Sequence, residues 1–181
     1  MQDVLEGGQR DRELNEHEQR LFEELAARIR AGDMSADGEL WRLDYSRVPP
    51  DIRTFVLDDY YLGKTLRPIH GENEGIWPTW LDLLARDFDL GSYIHNAVIT
   101  GSLGIGKTLV SVVLLLYRVC IATCLKNPQH FFGISRGSRI VYNFLSVTKE
   151  AVKDTAFGDA MNMMGGSPYF MEVCGYNPDS D

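Results

Sequence analysis

The sequence predicts an α/β fold: a parallel sheet with flanking helices, preceded by an amphipathic helical extension. Three observations lead there. His95 to Thr100 and Arg139 to Leu145 read as strands, and each is followed by a helical pattern, Lys107 to Leu125 and Thr148 to Met164. That βαβα order implies parallel strands joined by right-handed crossovers. Ala97-Val98-Ile99 is an uninterrupted apolar run of the kind that suits a strand covered on both faces. Ahead of both, residues 1–48 form a charged helical extension, and Pro49-Pro50 marks the entry to a main domain over 49–181.

In the extension, Leu14, Leu21, Phe22, Leu25 and Ile29 recur at helical spacing among charged neighbours, which predicts one amphipathic helix from Asn15 to Arg30. Asn15 with Glu18 has the spacing of a capping box, and Gly32 stops the helix. A docking helix for a partner and a solvated appendage are both open readings, and the mixture of charges favours the second. In the main domain a helix is expected from Pro50 to Tyr61, ended by Gly63. Phe55-Val56-Leu57-Asp58-Asp59 imitates a magnesium-binding strand, but Ile52, Phe55, Val56, Asp59 and Tyr60 fall at helical spacing. A loop with Arg67-Pro68 and Gly71 to Gly75 follows. Trp77-Pro78 then opens a short helix in which Trp77 and Trp80 are expected in the core. Asn127-Pro128 ends the long helix, and Gly165-Gly166 the last one.

Composition excludes several classes. With 44% hydrophobic and 24% charged residues the chain reads as a soluble globular protein. A net charge of −8 lacks the basic footprint of a free-standing nucleic-acid-binding module. Cys120, Cys124 and Cys174 support neither a disulfide framework nor a zinc site, so a reducing compartment is expected. The opening Met-Gln-Asp-Val-Leu-Glu has neither a basic head nor an apolar run, so no secretion signal is expected. The apolar stretch Leu109 to Leu125 contains Arg118 and falls short of the ~20 residues of a membrane span, so a buried helix is expected.

The chemistry concentrates in one motif. Gly101-Ser102-Leu103-Gly104-Ile105-Gly106-Lys107-Thr108 matches the phosphate-loop pattern G-x-x-x-x-G-K-[ST] at every fixed position, between a predicted strand and a predicted helix. Chance composition yields such a match in under about one chain in a hundred of this length. Glycines let successive amides turn inward around phosphate oxygens, and the helix that follows adds its positive end. Lys107 is expected to bridge the β and γ phosphates, which makes it the catalytic candidate, and Thr108 to place its hydroxyl on Mg²⁺. The expected ligands are a nucleoside triphosphate and magnesium. Other candidates are weaker: Cys120 and Cys124 suit small core positions, and His17, His70, His95 and His130 share no ligand spacing. Arg136 and Arg139 flank the second strand, where a solvated strand end is the favoured reading over a phosphate or DNA contact. Asp58, Asp59, Asp82, Asp87 and Asp89 form no catalytic set.

Taken together, Asp59-Tyr60-Tyr61-Leu62-Gly63, Trp77-Pro78-Thr79-Trp80, Val98 through Thr108, Leu145-Ser146-Val147-Thr148-Lys149 and Ser167-Pro168-Tyr169-Phe170 resemble the large terminase subunit of tailed bacteriophages, the ATP-driven DNA-packaging motor. The resemblance runs from Pro50 to Phe170. It implies a P-loop NTPase (RecA-like) domain, ATP and Mg²⁺ as ligands, and Gly101 to Thr108 as the nucleotide site. It also implies double-stranded DNA, the portal ring and a small terminase subunit as partners. A homo-oligomer during packaging and host cytoplasm as the location, with no membrane, follow as well, as does an endonuclease in the parent protein.

The departure lies after Thr108, where no apolar strand ends in Asp-Glu and no nuclease carboxylates occur. That pair would hold Mg²⁺ and activate water. The chain is therefore expected to be the N-terminal portion of a longer protein, with the sheet incomplete before the Walker B strand and hydrolysis inactive in this chain alone. Two other readings remain: a P-loop small-molecule kinase or GTPase, weakened because Leu125-Lys126-Asn127-Pro128 is no base-reading signature, and a non-hydrolysing nucleotide-binding module.

Overall fold

Apolar residues at helical spacing organise this chain. The computed structural model describes residues 16–32, 44–66, 75–90, 92, 94, 96–102, 104–145 and 156–178. Among these are helices α1 (Glu16–Arg30), α2 (Ile52–Leu57), α3 (Gly63–Leu66), α4 (Pro78–Asp87), α5 (Lys107–Cys124), α6 (Pro128–Phe131), α7 (Gly158–Gly166) and α8 (Pro168–Glu172). The chain divides into two units, one of residues 1–48 with 124–141 and the other of 49–123 with 142–181.

In the first unit, α1 ends before Gly32, whose φ of 90° suits a residue without Cβ, and Leu25 on it is fully buried. Asn15 lies outside the described residues, and so does the capping box. Tyr45 and Leu125 form an isolated antiparallel bridge, flanked by Ser46 N–H donating to Cys124 O and Lys126 N–H donating to Asp44 O. Asn127 then caps α6, its side chain accepting from the His130 amide at 3.2 Å.

The second unit is a helical core. Asp51 caps α2 by accepting from the Thr54 amide at 3.0 Å, and Ile52, Phe55 and Val56 are buried. The helix stops at Leu57 rather than running to Tyr61. Gly63 opens α3 instead of ending α2, and a Cβ there would strike the Leu57 carbonyl. α2 packs on α3 and α4, α3 on α7, and α7 on α8. α5 contributes Val110, Val113, Leu116, Tyr117 and Cys120 to the core. Its length and composition alone would let it cross a membrane, but nearly half of that apolar stretch is packed inside the protein. The Tyr117 ring lies 5.2 Å from that of Phe55, and its hydroxyl donates to Pro50 O and to Asp89 Oδ1. Burial, then the bond to Asp89, pushes its ionisation well above the ordinary tyrosine value.

Two sequence segments far apart meet in this core. Tyr60 O accepts from the Tyr169 amide at 2.9 Å and from the fully buried Ser167 hydroxyl at 3.3 Å. The Tyr61 and Tyr169 rings lie 5.1 Å apart, and the hydroxyls of Tyr169 and Thr123 share a hydrogen bond of 2.7 Å. Asp59-to-Gly63 and Ser167-to-Phe170 are therefore packing partners.

The expected parallel sheet is absent: among the described residues there is no strand, and the fold is mostly helical. Residues 96–100 and 139–145 are non-helical and join no ladder, while His95 lies outside the described residues. Val98 is 89% exposed and Leu145 94% exposed, the reverse of strands covered on both faces. A short apolar run does not make a strand, because extended backbone becomes a strand only through hydrogen bonds to a neighbour. A P-loop NTPase (RecA-like) sheet, complete or incomplete, is thus not what these residues form. The stretch expected to form the last long helix is described only in part. Thr148 to Thr155 lie outside the described residues, α7 begins at Gly158, and Gly165 and Gly166 belong to it, with Ser167 as its C-cap.

Candidate functional site

The glycine-rich loop sits at the start of α5 within the second unit. Gly101, Gly104 and Gly106 all have positive φ, at 146°, 83° and 83°, values L side chains rarely adopt. At Gly101 a Cβ would also collide with Ile105 Cδ1. Leu103 lies outside the described residues. Ser102 and Thr108 are exposed, and Ile105, Gly106 and Lys107 are half-buried.

Two side chains hold the loop. The Trp80 indole N–H, from α4, donates to the Ile105 carbonyl at 2.6 Å, and a Cβ on Gly106 would lie 3.6 Å from the same Nε1. Lys107 folds back so that Nζ donates to Gly101 O at 2.9 Å and to Ser102 O at 2.5 Å. The first bond of α5 runs from the Val110 amide to Gly106 O, so the amides of Lys107, Thr108 and Leu109 form the N-terminal end of an 18-residue helix. An anion at this end meets an ammonium, exposed loop backbone and the positive end of a helix. Thr108 follows Lys107 in the first turn of α5 and is exposed.

The candidate acids are engaged elsewhere. Asp89 Oδ1 accepts from the Ile52 and Leu90 amides as well as from Tyr117. Asp82 pairs with Arg53 at 2.6 Å, and Asp87 with Arg86 at 2.7 Å. Asp58 Oδ1 accepts from the Tyr60 amide, and Asp59 is exposed in the turn that follows. No group of three or more His, Cys, Asp or Glu among the described residues could hold a metal ion. Cys120 and Cys124 are buried and lie outside any disulfide. His70 and His95 lie outside the described residues, and His130 lines a surface cleft with Arg136. Arg139 is exposed.

Sequence reasoning placed both tryptophans in the core. Trp77 is 55% exposed, and half-buried Trp80 is the residue that pins the loop. Periodicity could not reveal this, because the partner of Trp80 is a main-chain carbonyl 25 positions away. The only available signal was a hydrogen-bonding aromatic at the border of its helix's apolar face. No family model, curated protein or solved structure matches this chain.

Proposed function

We propose that Gly101 to Thr108 bind the phosphates of Mg-ATP, and that the chain is the ATP-binding portion of a DNA-packaging motor of the terminase large-subunit type. The observation that carries the nucleotide reading is the loop itself: three glycines at positive φ, with Lys107 Nζ turned back onto the carbonyls of Gly101 and Ser102. On this reading Lys107 leaves those carbonyls for the β and γ phosphate oxygens, since an ionic acceptor makes the stronger hydrogen bond. Trp80 keeps Ile105 and Gly106 in place while it does so, and Thr108 holds the magnesium. ATP with its magnesium supplies the phosphoryl group to be transferred. The motor reading rests on the order of the flanking segments, and it assigns double-stranded DNA, the portal ring, a small subunit and neighbouring copies to the complete protein.

A second reading has its own support. Asp58, Asp82, Asp87 and Asp89 are all committed to amides, cations or Tyr117, so none is held ready to orient water at the loop. A non-hydrolysing nucleotide-binding module needs no such acid. Calorimetry with Mg-ATP on the parent and Lys107→Ala tests the nucleotide site, and phosphate release checks the absence of turnover that both readings expect of residues 1–181. Lys107-dependent binding without turnover is expected of residues 1–181. Equal ATP affinity for parent and variant rejects the loop as the site.

A further inference from the structure

The first unit contains a cleft of 290 Å³ lined by Asp44, Lys126, Asn127, His130, Phe131 and Arg136. Three of these side chains are basic types and one is acidic, a local reversal in a chain of net charge −8. Its wall is built by main-chain structure: Lys126 N–H donates to Asp44 O, and Asn127 fixes the turn that carries His130 and Phe131. Phe131 is held by rings on two sides, Tyr45 at 6.1 Å and Phe132 at 5.3 Å, both edge-on, yet it stays 49% exposed. A fixed, half-open aromatic ring beside two permanent cations suits a ligand that joins a flat ring to a phosphate.

We propose that this cleft binds a nucleoside monophosphate, with the phosphate on Lys126 and Arg136 and the base against Phe131. Size argues for one nucleotide unit, because the volume lies at the small end of ligand pockets. A nucleic-acid strand is disfavoured, since the overall charge repels a polyanion and Asp44 interrupts the basic wall. The proposal does not depend on the glycine-rich loop, which belongs to the other unit.

The test is calorimetric titration of the full chain with AMP, carried out in the Lys107→Ala background so that the loop's contribution is weakened and the cleft variants report on the cleft. Adenosine, inorganic phosphate and a short single-stranded oligonucleotide are titrated alongside. Saturable AMP binding is expected, with adenosine and phosphate each at least about tenfold weaker. Arg136→Ala and Lys126→Ala should each weaken AMP about tenfold, and Phe131→Leu several-fold, whereas Arg139→Ala should leave it unchanged. If Phe131→Leu melts early, the exposed Arg136→Gln carries the test. No AMP binding at millimolar concentration overturns the proposal. So does AMP binding indifferent to Arg136 and Phe131, or binding of the oligonucleotide alone.

Discussion

Lys107 donates to two carbonyls of its own loop, and a bound phosphate has to win it from them. A charge-assisted contact to phosphate contributes about 1.5–3 kcal/mol, so Lys107→Ala should weaken Mg-ATP by tenfold or more in calorimetry. Trp80 acts one step back from the ligand. Trp80→Phe keeps a ring beside Gly106 but removes the N–H that holds Ile105 O, so it should cost about 0.5–1.5 kcal/mol in urea melts. ATP affinity should fall by less than for Lys107→Ala. An affinity loss equal to that of Lys107→Ala would put the indole on the ligand instead.

At the scale of elements, α2 and α5 are locked together through Tyr117, Asp89 and the amide of Ile52. Tyr117→Phe retains the ring contact with Phe55 and loses both hydroxyl bonds, with an expected cost of about 0.5–1.5 kcal/mol. The native tyrosine ionises above its ordinary value because burial and Asp89 oppose the phenolate. Its contribution is therefore complete below the unfolded tyrosine pKa of about 10 and is lost as pH rises beyond it, so the parent should lose stability in alkali more steeply than Tyr117→Phe. Asp51 has the opposite sign. Burial opposes its charge, but the bonds from the Thr54 hydroxyl and amide outweigh that and hold its carboxyl below the usual range. The cap is thus present above the unfolded aspartate pKa and is lost as pH falls. Asp51→Ala should destabilise by about 0.5–2 kcal/mol at neutral pH, with the gap closing in acid melts.

For the whole molecule, a net charge of −8 opposes a polyanion, so residues 1–181 should bind duplex DNA weakly at physiological salt. Tight, steeply salt-dependent binding in fluorescence anisotropy would contradict this. Phosphate release from Mg-ATP should stay near background, because positioning and charge stabilisation supply most of phosphoryl-transfer catalysis and Asp82, Asp87 and Asp89 are occupied in the scaffold. Steady Lys107-dependent turnover would show a water-orienting acid within this chain.

The sequence by itself determined α1, the start of α4, α5 and the loop. α1 and α5 lie within a residue of their expected bounds and α4 opens at the expected Pro78, because helical periodicity and Pro78 are local signals whose hydrogen bonds close within the segment. The positive-φ glycines were legible for the same reason: the pattern specifies a backbone conformation that only glycine adopts easily. What the tertiary structure decided was everything that needs a distant partner. Ala97-Val98-Ile99 and Ile140-Val141-Tyr142 have strand-like composition, but a strand exists only when another extended segment takes up its hydrogen bonds, and none of the described residues does. The pairing of Tyr60 and Tyr61 with Ser167 and Tyr169, and of Trp80 with Ile105, likewise joins segments whose separation in sequence carries no periodic trace. Local hydrogen bonding can be read along a chain, whereas long-range complementarity is settled only when side chains compete for one core.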